Sequence, residues 1–309
     1  MAGGAGFIGS HLVDALLARG RRVRVLDDLS SGHAANLAQA ARSLHLEIVE
    51  GDAADPAAAR AACRGVERVF HCAARPSVPW SVAHPREARR ANLETTLRLL
   101  EECTTAGARA FVFSSSSAIY GERADLPKRE DQPHDPRSPY AEHKLAGEGA
   151  LRQAAQHGLA AVSLRYFNVF GARQDPSSPY SGVISIFAQK ARTGEAPTIF
   201  GDGGQTRDFV HIDDVVRANL LAAERAPLPD ADPAPAINIG RGESVTIREL
   251  WTMVCDGVGR VPAPEPRCAA PRAGDVRHSR ADCTRAERLL GWRAEVSLAE
   301  GLRSILSAL

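Results

Sequence analysis

The chain has 309 residues, 44% of them hydrophobic and 24% charged, with a formal net charge of +1. That length suffices for one large or two closely packed domains, and the balanced charge excludes a general electrostatic drive toward nucleic acid or an anionic membrane. No apolar run has the length of a membrane span, the N-terminus lacks the basic and apolar regions of a signal peptide, and the six cysteines (63, 72, 103, 255, 268 and 283) include no C-x-x-C pair, so we expect reduced thiols in a cytoplasmic protein with no metal site.

The chain opens on "MAGGAGFIGSHLVDALLARG", where Gly3, Gly6 and Gly9 lead into apolar residues at helical spacing. "RRVRVLDD" reads as a strand ending at Asp27 and "LHLEIVEGD" as another ending at Asp52. "GVERVFHCAA" and "ARAFVFSSSS" read as two more strands, separated by one long helix over "REARRANLETTLRLLEECTTAG". "SPYAEHKLAGEGALRQAAQHG" is a helix followed by the strand "AAVSLRYFNVFG". Strands alternating with helices predict a doubly wound parallel sheet, an α/β Rossmann architecture. After Gly171 the character changes: a Pro- and Ser-rich loop, "ISIFAQKARTGE" as a helix, short strands and turns, the helical "HIDDVVRANLLAAERA", and a Pro-rich stretch around "VPAPEPRCAAP". We expect a dinucleotide-binding domain over 1–170 with 209–238 returning to it, and a smaller substrate lobe from 171–208 and 239–309.

The glycine loop is the first chemical signal. A tight turn before a helix lets backbone amides approach a pyrophosphate, and the helix dipole favours the negative charge. Asp27 follows at the end of the next strand, about 20 residues on, where an acid accepts hydrogen bonds from a ribose. Asp28 beside it would repel a 2′-phosphate, which favours NAD over NADP. Asp52 is positioned to meet the adenine amino group. Tyr140 and Lys144 lie four apart on one helix face. An ammonium beside a phenol favours the phenolate, so this pair could exchange a proton with a substrate hydroxyl near neutral pH. The serine run before "AIYG" offers Ser116 as a hydroxyl partner, although serine runs also satisfy their own backbone in loops. Asp213 and Asp214 are expected to cap the helix they precede, and His71 to be a satisfied core residue.

Together, "GGAGFIG", "LDDLSSG", "EGDAAD", "FSSSSAIYG", "SPYAEHK", "RYFNVFG", "GDGGQTRDFVHIDDVV" and "PRAGDVRHSRAD" resemble, in this order and over essentially the whole chain, the extended short-chain dehydrogenases/reductases. The resemblance is greatest to the NAD-dependent nucleotide-sugar 4-epimerases that act on UDP-glucose and UDP-N-acetylglucosamine. It implies an isomerase in which Tyr140 takes the proton of the sugar 4-hydroxyl, hydride moves to NAD, and a 4-keto sugar turns over before the hydride returns. It also implies that Lys144 lowers the tyrosine pKa and holds the nicotinamide ribose, while Ser116 binds the 4-oxygen.

Cofactor contacts implied by the resemblance are Gly3, Gly6, Phe7, Ile8, Gly9, Asp27, Asp28, Asp52, Ala73, Asn92, Tyr140, Lys144 and Tyr166. Substrate contacts are Ser116, Asn168, Arg207, Arg272, Asp275 and Ser279, with the arginines on the phosphates and Asp275 on the uridine ribose. Ser117 and Ala118 stand where related dehydratases carry an acid pair, which disfavours dehydration. The small Ser279 leaves room for an N-acetyl group, so UDP-GlcNAc/UDP-GalNAc are expected beside UDP-Glc/UDP-Gal. Trp80 stands where many relatives carry Arg. A homodimer formed through helices around 93–103 and 140–156 is implied as well. UDP-glucuronate 4-epimerisation, another nucleotide-sugar epimerase or dehydratase activity, and a non-catalytic NAD-binding scaffold are the alternatives. Because only Met1 and Ala2 precede the glycine loop, the first strand is expected to be missing through a misassigned start, with weak NAD retention and poor stability for a chain that begins at Met1.

Overall fold

The computed structural model describes residues 1–174, 182–271 and 276–308. In its first half, α1 (Phe7–Ala18) leads to β1 (Val23–Asp27), β2 (Leu46–Glu50), α2 (Pro56–Cys63) and β3 (Arg68–His71). Then come α3 (Val78–Ala83), α4 (Pro85–Arg89), a single π turn (Arg90–Glu94), α5 (Thr95–Thr105) and β4 (Ala110–Ser116). The long helix expected over 86–107 is thus α4 and α5 joined through that π turn. Next are α6 (Pro139–Gln156), β5 (Ala160–Tyr166), β6 (Asn168–Phe170), α7 (Val183–Thr193), β7 (Thr198–Phe200), β8 (Thr206–Arg207) and β9 (Phe209–His211). The chain closes with α8 (Ile212–Arg225), β10 (Ala236–Ile239), β11 (Val245–Thr246), α9 (Ile247–Gly257), β12 (Arg267–Ala269), α10 (Thr284–Leu290) and α11 (Leu298–Ala308).

The main sheet is parallel and doubly wound. β2 pairs with β1, and β3, β4, β5 and β10 follow in order on the other side. The two halves meet at the N-terminus: Ala2 bridges Leu26 of β1 and His71 of β3. Ala2 N donates to the Phe70 carbonyl at 3.0 Å, Cys72 N to the Ala2 carbonyl at 2.9 Å and Leu26 N to the Met1 carbonyl at 2.8 Å. Residues 1–3 therefore hold the central position of the sheet. Below Met1, a groove of about 580 Å³ opens between the β1 and β3 sides, lined by Leu16, Val23, Val66, Phe70 and Leu220 among others. The Met1 amine at its head is buried and donates to the Arg24 carbonyl at 2.7 Å; burial lowers its pKa to about 6.

Apolar side chains alternate to both faces of the central strands. One core unites Val112, Val162 and Leu164 with α8 and α10, and another packs Phe111, Phe113 and Leu151 beneath α5 and α6. A further core, from Ile184, Phe187, Trp251 and Val254 to Leu302, gathers α7, α9 and α11. Asp213 and Asp214 sit inside the first turn of α8, capped instead by the His211 side chain. Asp214 is buried and accepts from the amides of Glu295 (2.9 Å) and Val296 (3.0 Å), so it ties the C-terminal segment to α8 and does not cap the helix. His71 bonds Thr96 through Nε2 at 2.9 Å while its buried Nδ1 has no partner, and burial lowers its pKa well below the ordinary histidine value. The expected core histidine is therefore neutral and only half satisfied.

Candidate active site

A cleft of about 520 Å³ lies at the C-terminal ends of β1, β2 and β3. Its floor is the glycine loop. Gly3 takes φ +77°, and a Cβ there would lie 2.5 Å from the Ala73 backbone nitrogen; a Cβ on Gly9 would lie 1.9 Å from the Gly3 carbonyl oxygen. Only glycine permits this approach of loop, helix and β3. Gly6 caps α1 without a side-chain hydrogen bond, and no acidic residue occupies the first turn. The α1 N-terminus thus offers free amides and a positive dipole end toward the cleft. This cradle fits a dinucleotide pyrophosphate.

Gly3, Gly6, Phe7, Ile8, Gly9, Asp27, Asp28, Asp52 and Ala73 all line the cleft. Asp27 accepts from Ala5 N at 2.8 Å and Leu29 N at 3.0 Å; burial nevertheless raises its pKa. Asp28 accepts from the Ser30 amide and hydroxyl at 2.9 and 2.6 Å. Asp52 is held by Arg90 Nε and Nη2 at 2.9 and 2.6 Å, a partner that comes from the π turn and is invisible in the local sequence around Asp52. Asn92 is turned to the backbone of Arg75, whose amide donates to it at 2.8 Å. Tyr166 is buried, its hydroxyl bonded to Ser114 at 3.2 Å and to Asn219; neither Asn92 nor Tyr166 lines the cleft wall.

Arg75, a residue outside the sequence expectations, spans the cleft. Arg75 donates to the Ser30 carbonyl at 3.0 Å and lies 4.7 Å from the Trp80 ring centroid, linking the loop after β1 to the segment after β3. Position alone hints at such a role, since segments after parallel strands border the ligand crevice.

Next to the cleft, α6 begins with Ser138 as N-cap, accepting from Ala141 N at 3.2 Å, and Pro139 in the first turn. This start puts Tyr140 in the first turn, where its amide donates to the buried Ser81 hydroxyl at 3.2 Å. Lys144, one turn on, donates to the Ser114 carbonyl at 2.7 Å and lies 4.7 Å from the Phe113 ring centroid and 5.9 Å from that of Tyr140. Ser116 ends β4, its hydroxyl accepting from Ala118 N at 3.2 Å. Burial pushes the Tyr140 phenol up to about 12, opposed by a hydrogen bond with the Ser116 side chain. Burial lowers Lys144 to about 8. The expected acidic phenol is thus corrected: among the protein's own groups burial dominates, and the phenol stands above its ordinary value.

In the smaller lobe, Asn168 is exposed on β6, with its amide donating to the Asp208 carbonyl at 2.9 Å. Arg207 lies on β8, and Ser279 N donates to the carbonyl of adjacent Thr206 at 3.2 Å. Arg207 and Ser279 therefore come together, while Arg272 and Asp275 lie outside the described residues. Among the described residues no group of three or more His, Cys, Asp or Glu is arranged to hold a metal ion, and no helix is long and apolar enough to cross a membrane.

A family model for the NAD dependent epimerase/dehydratase family matches residues 1–240. The chain belongs to this family. Among its relatives, the UDP-glucose 4-epimerase of Mycolicibacterium smegmatis is 43% identical, over 98% of this chain and 95% of that protein. The structure of UDP-glucose 4-epimerase with UDP-glucose from Thermotoga maritima superposes with a TM-score of 0.91 at 40% identity, covering 99% of this chain and 96% of that one. The UDP-N-acetylglucosamine 4-epimerase of Methanobrevibacter ruminantium, in complex with UDP-N-acetylmuramic acid, also has a TM-score of 0.91, at 37% identity over 99% and 96%. A family that depends on NAD agrees with the glycine cradle and with Asp27 at the end of β1.

Proposed function

We propose that this chain catalyses the NAD-dependent 4-epimerisation of a UDP-hexose, interconverting UDP-glucose and UDP-galactose. The observation that carries the reading is the convergence of Ser116, Tyr140 and Lys144 at the end of β4, beside a cleft built for a dinucleotide. NAD, when bound, would supply a hydride acceptor and donor and a positive charge that favours the phenolate. Tyr140 Oη takes the proton of the sugar 4-hydroxyl and later returns it. Ser116 Oγ hydrogen-bonds the 4-oxygen. Lys144 keeps a positive charge behind the phenol and holds the nicotinamide ribose. Asp27 and Asp28 receive the adenosine ribose and repel a 2′-phosphate. Asn168 and Arg207 take the diphosphate, a task suited to guanidinium geometry.

On this reading residues 1–170 and 209–238 carry the cofactor, and 171–208 with 239–309 carry the sugar nucleotide, in keeping with the separate core around Trp251. Two copies pair through α5 and α6, a role that exposed Leu97 and nearby Val82 support; light scattering should give twice the chain mass. Tyr140→Phe tests the chemistry: interconversion should fall by at least about 100-fold with NAD still bound. Unchanged turnover would remove Tyr140 from the mechanism.

A specific observation favours a second substrate pair. Ser279, whose amide donates to the Thr206 carbonyl next to Arg207, is a small residue at the position that the epimerase resemblance puts beside the sugar 2-substituent. UDP-GlcNAc and UDP-GalNAc are therefore substrates too. A paired assay checks this: turnover of the plain sugar without the N-acetyl sugar would defeat it.

A further inference from the structure

The serine run at the end of β4 does more than offer one hydroxyl to the reacting oxygen. Three successive serines meet three successive turns of α6. The Ser114 carbonyl accepts from Lys144 Nζ at 2.7 Å, the Ser115 hydroxyl donates to Glu148 Oε1 at 2.6 Å, and the Ser116 side chain is the group that counters the burial of the Tyr140 phenol. Residues 140, 144 and 148 recur every four positions, so they form one stripe along the helix.

The middle contact differs from the other two because it touches no reacting group. Glu148 is fully buried and is gripped by Arg165 of β5, with Nε donating to Oε1 at 2.9 Å and Nη2 to Oε2 at 2.7 Å. Ser115 and Arg165 are direct partners in the β4–β5 register. One carboxylate therefore joins adjacent positions on two strands to the helix. Arg165 is itself held from behind by the Tyr120 hydroxyl at 2.8 Å and His134 Nε2 at 2.9 Å, and Tyr120 donates to Asn238 at 2.7 Å. A bidentate guanidinium pair has a fixed plane and fixed distances. Sliding α6 along β4 by even 1 Å would break it and leave buried charges unpaired. Gly147 lets the helix seat closely on the strand nearby: a Cβ there would lie 2.8 Å from Phe113.

We infer that the Ser115–Glu148–Arg165 cluster is a positioning device that sets the offset of α6 against β4 and thereby the place of the Tyr140 phenol relative to Ser116. The inference rests on the epimerase reading above for its kinetic consequence. Misplacing reacting groups by about 1 Å can cost up to about 100-fold in rate, so the loss of one of the three bonds to Glu148 should appear in kcat.

Ser115→Ala removes one hydroxyl and keeps the ion pair. It should lower kcat about 10-fold, leave KM for UDP-glucose and bound NAD within about twofold, and shift the pH profile of kcat. Ser115→Thr keeps the hydroxyl and should recover most of the rate. Glu148→Gln should give a larger loss, read beside its melting temperature to correct for unfolded protein. Wild-type kcat and pH profile in Ser115→Ala would overturn the inference, as would a loss in Ser115→Ala that Ser115→Thr does not relieve. An inactive wild-type protein would instead sink the epimerase reading. The positioning claim is then decided by hydrogen exchange: amides of residues 140–144 should exchange at least about 10-fold faster in Glu148→Gln, and unchanged exchange there would overturn it.

Discussion

Replacing Lys144 by Met should stabilise this protein at pH 7 while abolishing its activity. Lys144 is 2% exposed, and burial lowers its pKa from 10.5 to about 8. At pH 7 the ammonium is charged in both folded and unfolded chains, so the full burial penalty is present. The fall in pKa corresponds to about 3 kcal/mol. Met removes that penalty but leaves the Ser114 carbonyl without its donor, a loss of about 1 kcal/mol. A net gain of about 2 kcal/mol remains. Its pH dependence has a definite sign. Between pH 8 and 10.5 the unfolded chain holds the Lys144 proton and the folded chain does not, so wild-type stability rises with pH there. The advantage of Lys144→Met should shrink across that window. Urea unfolding of nucleotide-free protein at pH 7 and pH 9.5 measures both effects. A variant less stable than wild type at pH 7, or a gap that does not close at high pH, would refute the assignment of Lys144 as a strained buried cation.

Gly9→Ala drives a methyl against the Gly3 carbonyl oxygen, at 1.9 Å without movement; bound NAD, read by absorbance after denaturing the purified protein, should be lost along with several degrees of melting temperature. Arg75→Ala severs the bridge between Ser30 and Trp80 and should speed NAD dissociation by about 10-fold, from the loss of roughly 1–2 kcal/mol of contacts, measured by exchange into labelled NAD. Ser279→Tyr should remove turnover of UDP-GlcNAc and spare UDP-glucose, as followed by chromatography of the products.

What could be read from the sequence was local. The glycine cradle is a single loop entering one helix, and its requirements for Gly3 and Gly9 lie within a few residues of each other. Tyr140 and Lys144 share a helix, so their common face follows from the four-residue spacing. The parallel sheet followed from alternating strands and helices. Long-range pairings stayed hidden. Arg90 reaches Asp52 from a π turn that follows residue 89, and Glu148 meets Ser115 only through the docking of α6 and the β4–β5 register. The direction of the Tyr140 shift also depended on packing, since an ammonium four residues away does not offset complete burial of the phenol. The N-terminal pairings are long-range as well. There, residues 1–3 join β1 to β3, with the groove beneath Met1 beside them.

The most direct test of the central claim is to incubate the purified protein separately with UDP-glucose and with UDP-galactose and resolve the nucleotide sugars over time. Both reactions should converge on the same mixture with no net formation of NADH, and Tyr140→Phe should halt both. A wild-type protein that retains NAD and converts neither sugar would contradict the account.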